Sequence, residues 1–558
     1  MSLYARVPAL LGALVMVLMI SGCGNDGPAE PVGGAFSLGQ SLSVQRGRDA
    51  KVLGSTTGGT FYAVVVNAGL DSVGQASFTL RASGVDAAEV PALTRIPLPA
   101  EERMPGDGPR RDEAFEDRLR DLERSALTPK FAAARAWNAA RVPSLPTSLS
   151  VGDYVTINVN ATNPCASPVY HAARVEAIGV KALVLNDTLN PKPGFTTADF
   201  QRYAARFDTL IYPLDVAAFG EPTDIDLNGH IAILFTRAVN ELTDQSAFSY
   251  VGGLTFSRDL FPQIGTARAQ ACPSSNEGEY VYLMTPDPSG TINGNRRSNG
   301  FVDTNTTAVM AHELVHLINA SRKLYVNTAA PKFEVKWLDE GLAHVAEELL
   351  FYRESKLSSR SNLTVFDLTT TSRIRNLYVA DMSANTSRYR EFLNASSTSS
   401  PYRAGDELTT RGASWSLLRY LADRNAPADG DVWSRLVNNS AVGIANLQAV
   451  FGNDVSSLVR DWSASLSVDD LPAAAPELQQ KSWNWHSVFG GVTSSAALYP
   501  LSVTHMSATT SSYAGSVVPG GSASYTFAVP PNGTATLTLD GQAGAAGSNL
   551  QLVIVRTQ

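Results

Sequence analysis

The segment 312–316 reads His-Glu-Leu-Val-His, and the segment 337–344 reads Trp-Leu-Asp-Glu-Gly-Leu-Ala-His. Residues four apart lie one turn apart on the same face of a helix, so His312 and His316 can bind one metal ion. Glu313 is rotated by about 100° from His312, where it can hold a water molecule beside that ion. Uncharged, mostly apolar residues surround the pattern, which predicts a buried helix and a dry metal centre.

A catalytic zinc site needs a third protein ligand and one open position, so two histidines are not enough. A third histidine six residues after His316 is absent, because Arg322 stands there. Twenty-three residues separate His316 from Glu340, enough to turn the chain and return a second, antiparallel helix. We therefore expect Glu340 to be the third zinc ligand. Glu347 lies two turns further along the same face and is expected to orient a ligating histidine.

These residues carry a resemblance to a known group of enzymes. An HExxH pattern with a glutamate on a following helix is similar to the gluzincin clan of zinc metallopeptidases. The segments 312–319 and 340–349 more closely resemble the hyicolysin family, as do 220–229 and 276–282. The likeness covers roughly residues 150–425. It implies a zincin-like domain that binds one Zn²⁺ and hydrolyses peptide bonds of protein or peptide substrates, with Glu313 as the general base.

Two departures from this pattern concern the groups around the metal. Many gluzincins have an aspartate four residues after the glutamate ligand to orient a histidine, and here His344 occupies that position. The orienting role must therefore pass to Glu347 or to a backbone carbonyl, or else His344 takes part in substrate binding. The aminopeptidase branch supplies a tyrosine that stabilises the oxyanion, in a Tyr-x-x-Gly context. The analogous position before Gly412 is Thr409. The other candidates for this role are Tyr402, Tyr389 and His486.

The N-terminus resembles a bacterial lipoprotein signal. Residues 1–22 contain one charge, an apolar stretch and then small residues, which predicts a cleaved signal peptide. Ile-Ser-Gly-Cys at 20–23 is similar to a lipobox, so Cys23 would be lipidated and 23–34 would form a tether. The alternative is an ordinary secretory signal. We expect an exported protein, either anchored to the outer or cell membrane through lipid alone or shed as a secreted enzyme.

Export changes what the other two cysteines are expected to do. Cys165 and Cys272 lie in turn-like sequence and form an even pair. In an oxidising compartment such a pair most simply forms one disulfide. A thiolate metal site is disfavoured because neither cysteine has a second ligand at suitable spacing.

The order of patterns along the 558 residues predicts an α+β fold with several domains. Alternating strands in 35–98 and in 481–558 predict an N-terminal and a C-terminal β-sandwich. The metallopeptidase domain is expected at 151–480, with strands first and helices after. Between 110 and 124, eleven of fifteen residues are charged with mixed signs, so 99–150 is expected to be a solvated helical linker without a binding function.

Composition and the remaining motifs narrow the choice of partners. A net charge of −8 without a basic run argues against nucleic acid. Asp224, Asp226 and Asn228 match the first half of a calcium loop, but the ligand at the twelfth position is missing, so an Asx-stabilised turn is favoured over a partial Ca²⁺ site. The remaining side chains of interest are expected to be structural: His171, His230 and His505, with Trp483 and Trp485 at a domain junction.

Three functions remain open at this point. An exported zinc endopeptidase accounts for the complete motif. A surface adhesion lipoprotein with an inactive peptidase domain is the alternative from another class. An aminopeptidase is disfavoured because the chain has no recognisable segment for gripping a free amino terminus. The sequence does not set the oligomeric state.

Overall fold

The computed structural model describes residues 32–71, 73–88, 110–111, 113–138, 148–161, 165, 168–245, 249–263, 272–403, 407–425, 428–471, 474–491, 499–541 and 545–558. The expected signal peptide, Cys23 and nearly all of the tether lie outside these residues. Among the described residues, no helix is both long and apolar enough to cross a membrane.

The strands are β1 (Val32–Ala35), β2 (Ser41–Gln45), β3 (Asp49–Leu53), β4 (Gly59–Asn67), β5 (Ala76–Ser83), β6 (Arg110–Arg111), β7 (Tyr154–Asn158), β8 (Tyr170–Ile178), β9 (Ala182–Asp187), β10 (Ile231–Phe235), β11 (Ser249–Tyr250), β12 (Gly253–Leu254), β13 (Tyr280–Leu283), β14 (Val503–His505), β15 (Ser512–Val517), β16 (Ser522–Val529), β17 (Thr534–Gly541) and β18 (Leu550–Arg556). The α-helices are α1 (Glu113–Leu127), α2 (Phe131–Asn138), α3 (Thr197–Arg206), α4 (Tyr212–Phe219), α5 (Arg237–Asn240), α6 (Asn299–Ser321), α7 (Lys336–Ser355), α8 (Val365–Thr369), α9 (Ser372–Asp381), α10 (Ser383–Asn394), α11 (Leu408–Asn425), α12 (Asp429–Val437), α13 (Ile444–Phe451), α14 (Val455–Val468), α15 (Trp485–Gly490) and α16 (Ala545–Ser548). The mixture of sheets and helices is an α+β fold.

One β-sandwich is built from both ends of the chain, so the prediction of two separate sandwiches at 35–98 and 481–558 is wrong. Its sheets have the strand orders β1-β3-β17-β5-β15 and β14-β16-β4-β18-β2. In the first sheet β17 pairs with β3 and β5, and in the second β4 lies between β16 and β18. The apolar faces of strands from the two ends share a single core. Each terminal segment supplies half of the strands that this core requires.

The middle of the chain forms a six-stranded sheet of order β12-β13-β10-β9-β8-β7. Strands β9, β10 and β13 run parallel, and β10 is buried along its whole length, as expected for a strand covered on both faces. The short strand β12 pairs antiparallel with β13 at the edge of the sheet. Helix α6 packs against β12 and β13 on one side and against α7 on the other.

Two boundaries of the expected domain layout need correction. Helices α1 and α2 are helical as expected but are not a solvated linker, because Leu119, Leu127 and Phe131 are buried in the cores around the central sheet and helices. At the other end, Trp483 and Trp485 lie inside the helical body, where Trp483 stacks on Phe351 and Trp485 packs 4.8 Å from the ring of Tyr389. The helical body therefore continues beyond residue 480 to include α15.

The predicted disulfide between Cys165 and Cys272 is present. Cys272 is fully buried, and both cysteines pack against the core that contains α6 and α7. The disulfide therefore fixes the loops flanking the central sheet to the helical body.

Candidate metal centre

Helix α6 carries the HExxH segment into the interior. The Ser298 side chain caps it by accepting a hydrogen bond from the backbone N–H of Phe301. From Thr306 to Ser321 every residue of α6 is buried, so the helix is enclosed on all faces over its last four turns. His312, Glu313 and His316 are between 1% and 3% exposed. A helix that is apolar all round is stable only in such a buried position.

Helix α7 runs antiparallel to α6 and brings Glu340 back to the two histidines. Glu340 is fully buried. The glycine after it permits close packing, since a Cβ at Gly341 would lie 2.8 Å from a Leu418 methyl carbon and 3.3 Å from the Ser414 hydroxyl on α11. Gly341 therefore allows α11 to pack closely against the part of α7 that carries Glu340.

Three ligand atoms form a compact triangle. His312 Nε2 and His316 Nε2 are 3.1 Å apart, and Glu340 Oε2 lies 3.5 Å and 3.6 Å from them. In a tetrahedral zinc site with bonds of about 2.0–2.1 Å, neighbouring ligand atoms are about 3.3 Å apart. The two-histidine, one-glutamate donor set is also one used by catalytic zinc enzymes. The residues present therefore fit a single zinc ion.

Each of the two histidines in the triangle has a carboxylate at its other ring nitrogen. Asp339 Oδ2 lies 3.1 Å from His316 Nδ1, and its other oxygen accepts a 2.6 Å hydrogen bond from the Asn319 side chain. Glu347 Oε1 lies 3.0 Å from His312 Nδ1, which is where sequence reasoning put it. Such carboxylates fix the ring orientation and the tautomer of a ligand. No role was predicted for Asp339 from the sequence, although it directly precedes Glu340.

Charges around the centre keep the Glu340 carboxylate ionised. Burial alone would raise its pKa, but the positive charges of Arg411 and His316 hold the pKa well below its usual value. Arg411 Nη1 lies 3.0 Å from Glu340 Oε2. Burial alone would lower the pKa of His316, but the charges of Asp339 and Glu340 outweigh it and raise the pKa to about 10. A metal ion that used His316 as a ligand would displace the proton that this raised pKa favours.

His344 lies behind the metal ligands. Its Nδ1 is 3.3 Å from Glu347 Oε2, its ring centroid is 4.9 Å from that of His312, and its side chain is fully buried. Burial and the charge of Arg388 hold its pKa well below the usual value, so the ring is neutral. This neutral, enclosed imidazole contacts Glu347, the carboxylate that also lies beside His312.

The expected oxyanion donors are not at the metal. The Tyr402 hydroxyl donates to the backbone carbonyl of Gly69 in the β-sandwich, so the prediction of a substrate-binding role is wrong. Tyr389 bonds to Gln480 in the helical core, and the His486 ring stacks on Tyr499 at 4.0 Å. The polar groups or rings of these three residues are therefore engaged with partners in the protein interior. Arg411 is the cation that α11 presents to the metal centre.

Helix α1 supplies two further guanidinium groups to the centre, which sequence reasoning did not anticipate. Arg120 is 5% exposed, with Nη2 3.9 Å from Glu313 Oε2 and Nε 4.0 Å from Glu340 Oε1. Arg124 Nη2 lies 3.8 Å from Asp339 Oδ2. A helix with charges of both signs is expected to be solvated only when its charged side chains have no buried partner. Here the buried carboxylates of the metal centre are the partners of Arg120 and Arg124.

The candidate calcium segment forms the favoured turn. Asp226 Oδ1 accepts the backbone N–H of Asn228, and Asn228 Oδ1 accepts that of His230. The Asn228 side-chain amide also donates to Asp226. The carboxylate of Glu279 lies within 4.8 Å of those of Asp224 and Asp226. Burial raises the pKa of Asp226 to about 7.

The remaining histidines predicted to be structural lie away from the metal. The ring of His171 contacts Asp187 at 2.6 Å, and His230 Nδ1 lies 2.7 Å from the backbone carbonyl of Asn228. His505 is exposed on β14.

Comparison with known proteins gives one informative similarity. The neutral metalloprotease ShpI of Staphylococcus hyicus is 33% identical over 154 residues, which make up 28% of this chain and 31% of that protein. The match therefore spans less than a third of that relative's length. No family model matches the chain. The similarity supports metallopeptidase chemistry, in agreement with the geometry of the three ligands.

Proposed function

We propose that the chain is a zinc-dependent endopeptidase of the hyicolysin type, exported and lipid-anchored through Cys23 or shed. The observation that carries this proposal is the triangle of His312, His316 and Glu340, with side lengths of 3.1–3.6 Å. The similarity to a neutral metalloprotease supports the same chemistry. An endopeptidase is favoured over an aminopeptidase because the sequence has no recognisable segment for gripping a free amino terminus.

The three ligands would hold Zn²⁺, which, when bound, polarises a scissile carbonyl and acidifies a water molecule. Glu313 adjoins His312 on α6 and acts as the general base that takes a proton from the attacking water and gives it to the leaving nitrogen. Asp339 and Glu347 hold the two imidazole rings in the ligating orientation. Arg411 keeps Glu340 ionised through their 3.0 Å contact.

The test is digestion of a peptide library with and without a metal chelator, using the wild type and Glu313→Gln. We expect Glu313→Gln to keep about one zinc per chain but to lose hydrolysis by at least roughly 100-fold, because general base catalysis typically contributes that much. Glu221→Gln is the matched control, since Glu221 is exposed and outside the centre.

The products distinguish the alternatives. Internal cuts support an endopeptidase, and release of single residues indicates an aminopeptidase. Retained hydrolysis in Glu313→Gln contradicts the assignment of the general base. Absence of metal-dependent cutting by the wild type and by the variants described below indicates a binding protein.

A further inference from the structure

Helix α1 covers the metal centre. The three ligands and Glu313 are at most 3% exposed in its presence. A peptide bond must approach both the metal and Glu313 to be hydrolysed, and those groups are enclosed. A cavity of about 270 Å³ lies beside the helix and is bordered by Arg120, Arg124 and Phe333; neither the three ligands nor Glu313 line it.

The Arg120 side chain contacts a backbone carbonyl beside the central sheet and two carboxylates of the metal centre. Its Nη1 donates a 2.7 Å hydrogen bond to the backbone carbonyl of Thr255, which directly follows the edge strand β12. The same guanidinium lies about 4 Å from Glu313 and Glu340. Backbone groups at a sheet edge are the ones that bind an extended peptide. Arg120 therefore contacts the backbone carbonyl of Thr255, the proposed general base Glu313 and the proposed ligand Glu340 at the same time.

The neighbouring residues of α1 attach the helix to the walls of the site. Glu123 accepts hydrogen bonds from the Ser257 hydroxyl and from the backbone N–H of Arg258, and it pairs with Arg120 at 3.1 Å. One turn after Arg120, Arg124 donates to the Glu334 carbonyl at 3.0 Å. These polar contacts face the metal centre, while Leu119 and Leu127 of the same helix are buried in the apolar cores, so displacement of α1 has to break both kinds of contact.

We infer that α1 is an autoinhibitory segment, in which Arg120, Glu123 and Arg124 hold the helix across the metal centre and keep peptides out until it is displaced. This inference rests on the proposed function, because it names the regulation of the same site. It gives the charged stretch 110–124 an inhibitory role, which its mixed charges did not predict. Displacement of α1 would remove the Arg120 guanidinium from Glu313 and Glu340.

The first test uses the zinc-loaded wild type and a dipeptide hydroxamate, a probe that binds active-site zinc. We expect probe binding to accelerate amide hydrogen exchange in residues 113–127 by roughly tenfold or more, since the helix must leave for the probe to enter. Unchanged or slower exchange in α1 would show that the helix is a fixed wall of the site, and would overturn the inference.

The second test compares probe affinity among variants made in a Glu313→Gln background. Arg120→Ala combined with Arg124→Ala should bind the hydroxamate at least roughly tenfold more tightly, the effect of losing one charge-assisted hydrogen bond. Glu123→Ala releases the same helix from Ser257 without removing a contact to the ligands, and it should act in the same direction. Arg118→Ala is the control, because Arg118 is exposed on the same helix.

Hydrolysis by the same α1 substitutions in the Glu313 form separates the two hypotheses. Faster hydrolysis with tighter probe binding supports both. Tighter binding without any hydrolysis sustains autoinhibition of a metal centre and contradicts the peptidase. Slower hydrolysis with unchanged binding overturns the inference and makes Arg120 part of the catalytic machinery. Thermal unfolding identifies a misfolded double variant, in which case Glu123→Ala and the exchange experiment decide.

Discussion

Asp339→Asn tests whether the carboxylate beside the third ligand orients His316. The substitution preserves size and leaves a partner for Asn319, but it removes the negative charge that faces His316 Nδ1 at 3.1 Å. A charge-assisted hydrogen bond contributes about 1.5–3 kcal/mol, and a neutral one about 1 kcal/mol. The difference of about 0.5–2 kcal/mol corresponds to roughly 2- to 30-fold, which overlaps the lower part of the roughly 10- to 100-fold loss of metal affinity that removal of such partners causes.

The assay is competition for zinc with a chelating dye at fixed pH. We expect the Kd for zinc to rise roughly 10- to 100-fold in Asp339→Asn, which corresponds to about 1.4–2.7 kcal/mol. Hydrolysis should recover at saturating zinc, because Asp339 acts through a ligand. Asp431→Asn, at an exposed position on α12, should match the wild type. A Kd for Asp339→Asn within about threefold of the wild type would refute the positioning role.

Two further predictions concern packing and pH. Gly341→Ala places a Cβ 2.8 Å from a leucine methyl carbon on α11, so it should lower the free energy of unfolding by about 1–3 kcal/mol, measured by denaturant titration. The control Gly300→Ala, with no atom within 4 Å of the added Cβ, should leave the free energy of unfolding unchanged. Equal effects of the two substitutions would contradict the packing argument. Burial lowers the pKa of His486 to about 4, so its neutral form stabilises the fold above pH 6.5 and this contribution is lost as pH falls from 6.5 to 4. The wild type should therefore lose about 3 kcal/mol more than His486→Phe over that interval, and parallel pH profiles would contradict it.

The ligands could be predicted from sequence because their arrangement is local. His312 and His316 lie one turn apart on any helix, and Glu340 needs only a return of the chain. Asp339 could not be assigned, since its contact with His316 depends on the rotation of α7 against α6. That rotation is set by packing such as the close approach of α11 to Gly341, which no pattern in the sequence encodes.

The terminal strands could be located, but their partners could not. The alternation of β5 and β17 predicts half-buried strands, and their pairing joins residues more than 400 positions apart. Strand propensity carries no information about such a partner. The prediction of a solvated linker was wrong for a related reason. The charges of Arg120 and Glu123 indicate solvent exposure as long as their buried partners on other elements are unknown.

The β-sandwich supports the metal centre at the beginning of α7. The ring of Trp337 lies 6.1 Å from that of Tyr402, and the Tyr402 hydroxyl donates to the Gly69 carbonyl between β4 and β5. Gly520, between β15 and β16, packs so closely on Tyr402 that a Cβ there would lie 2.8 Å from the hydroxyl oxygen. Glu340 follows Trp337 by three residues on the same helix. The first turn of α7, which leads to Glu340, therefore packs near Tyr402, and loops from both ends of the chain hold Tyr402 in place.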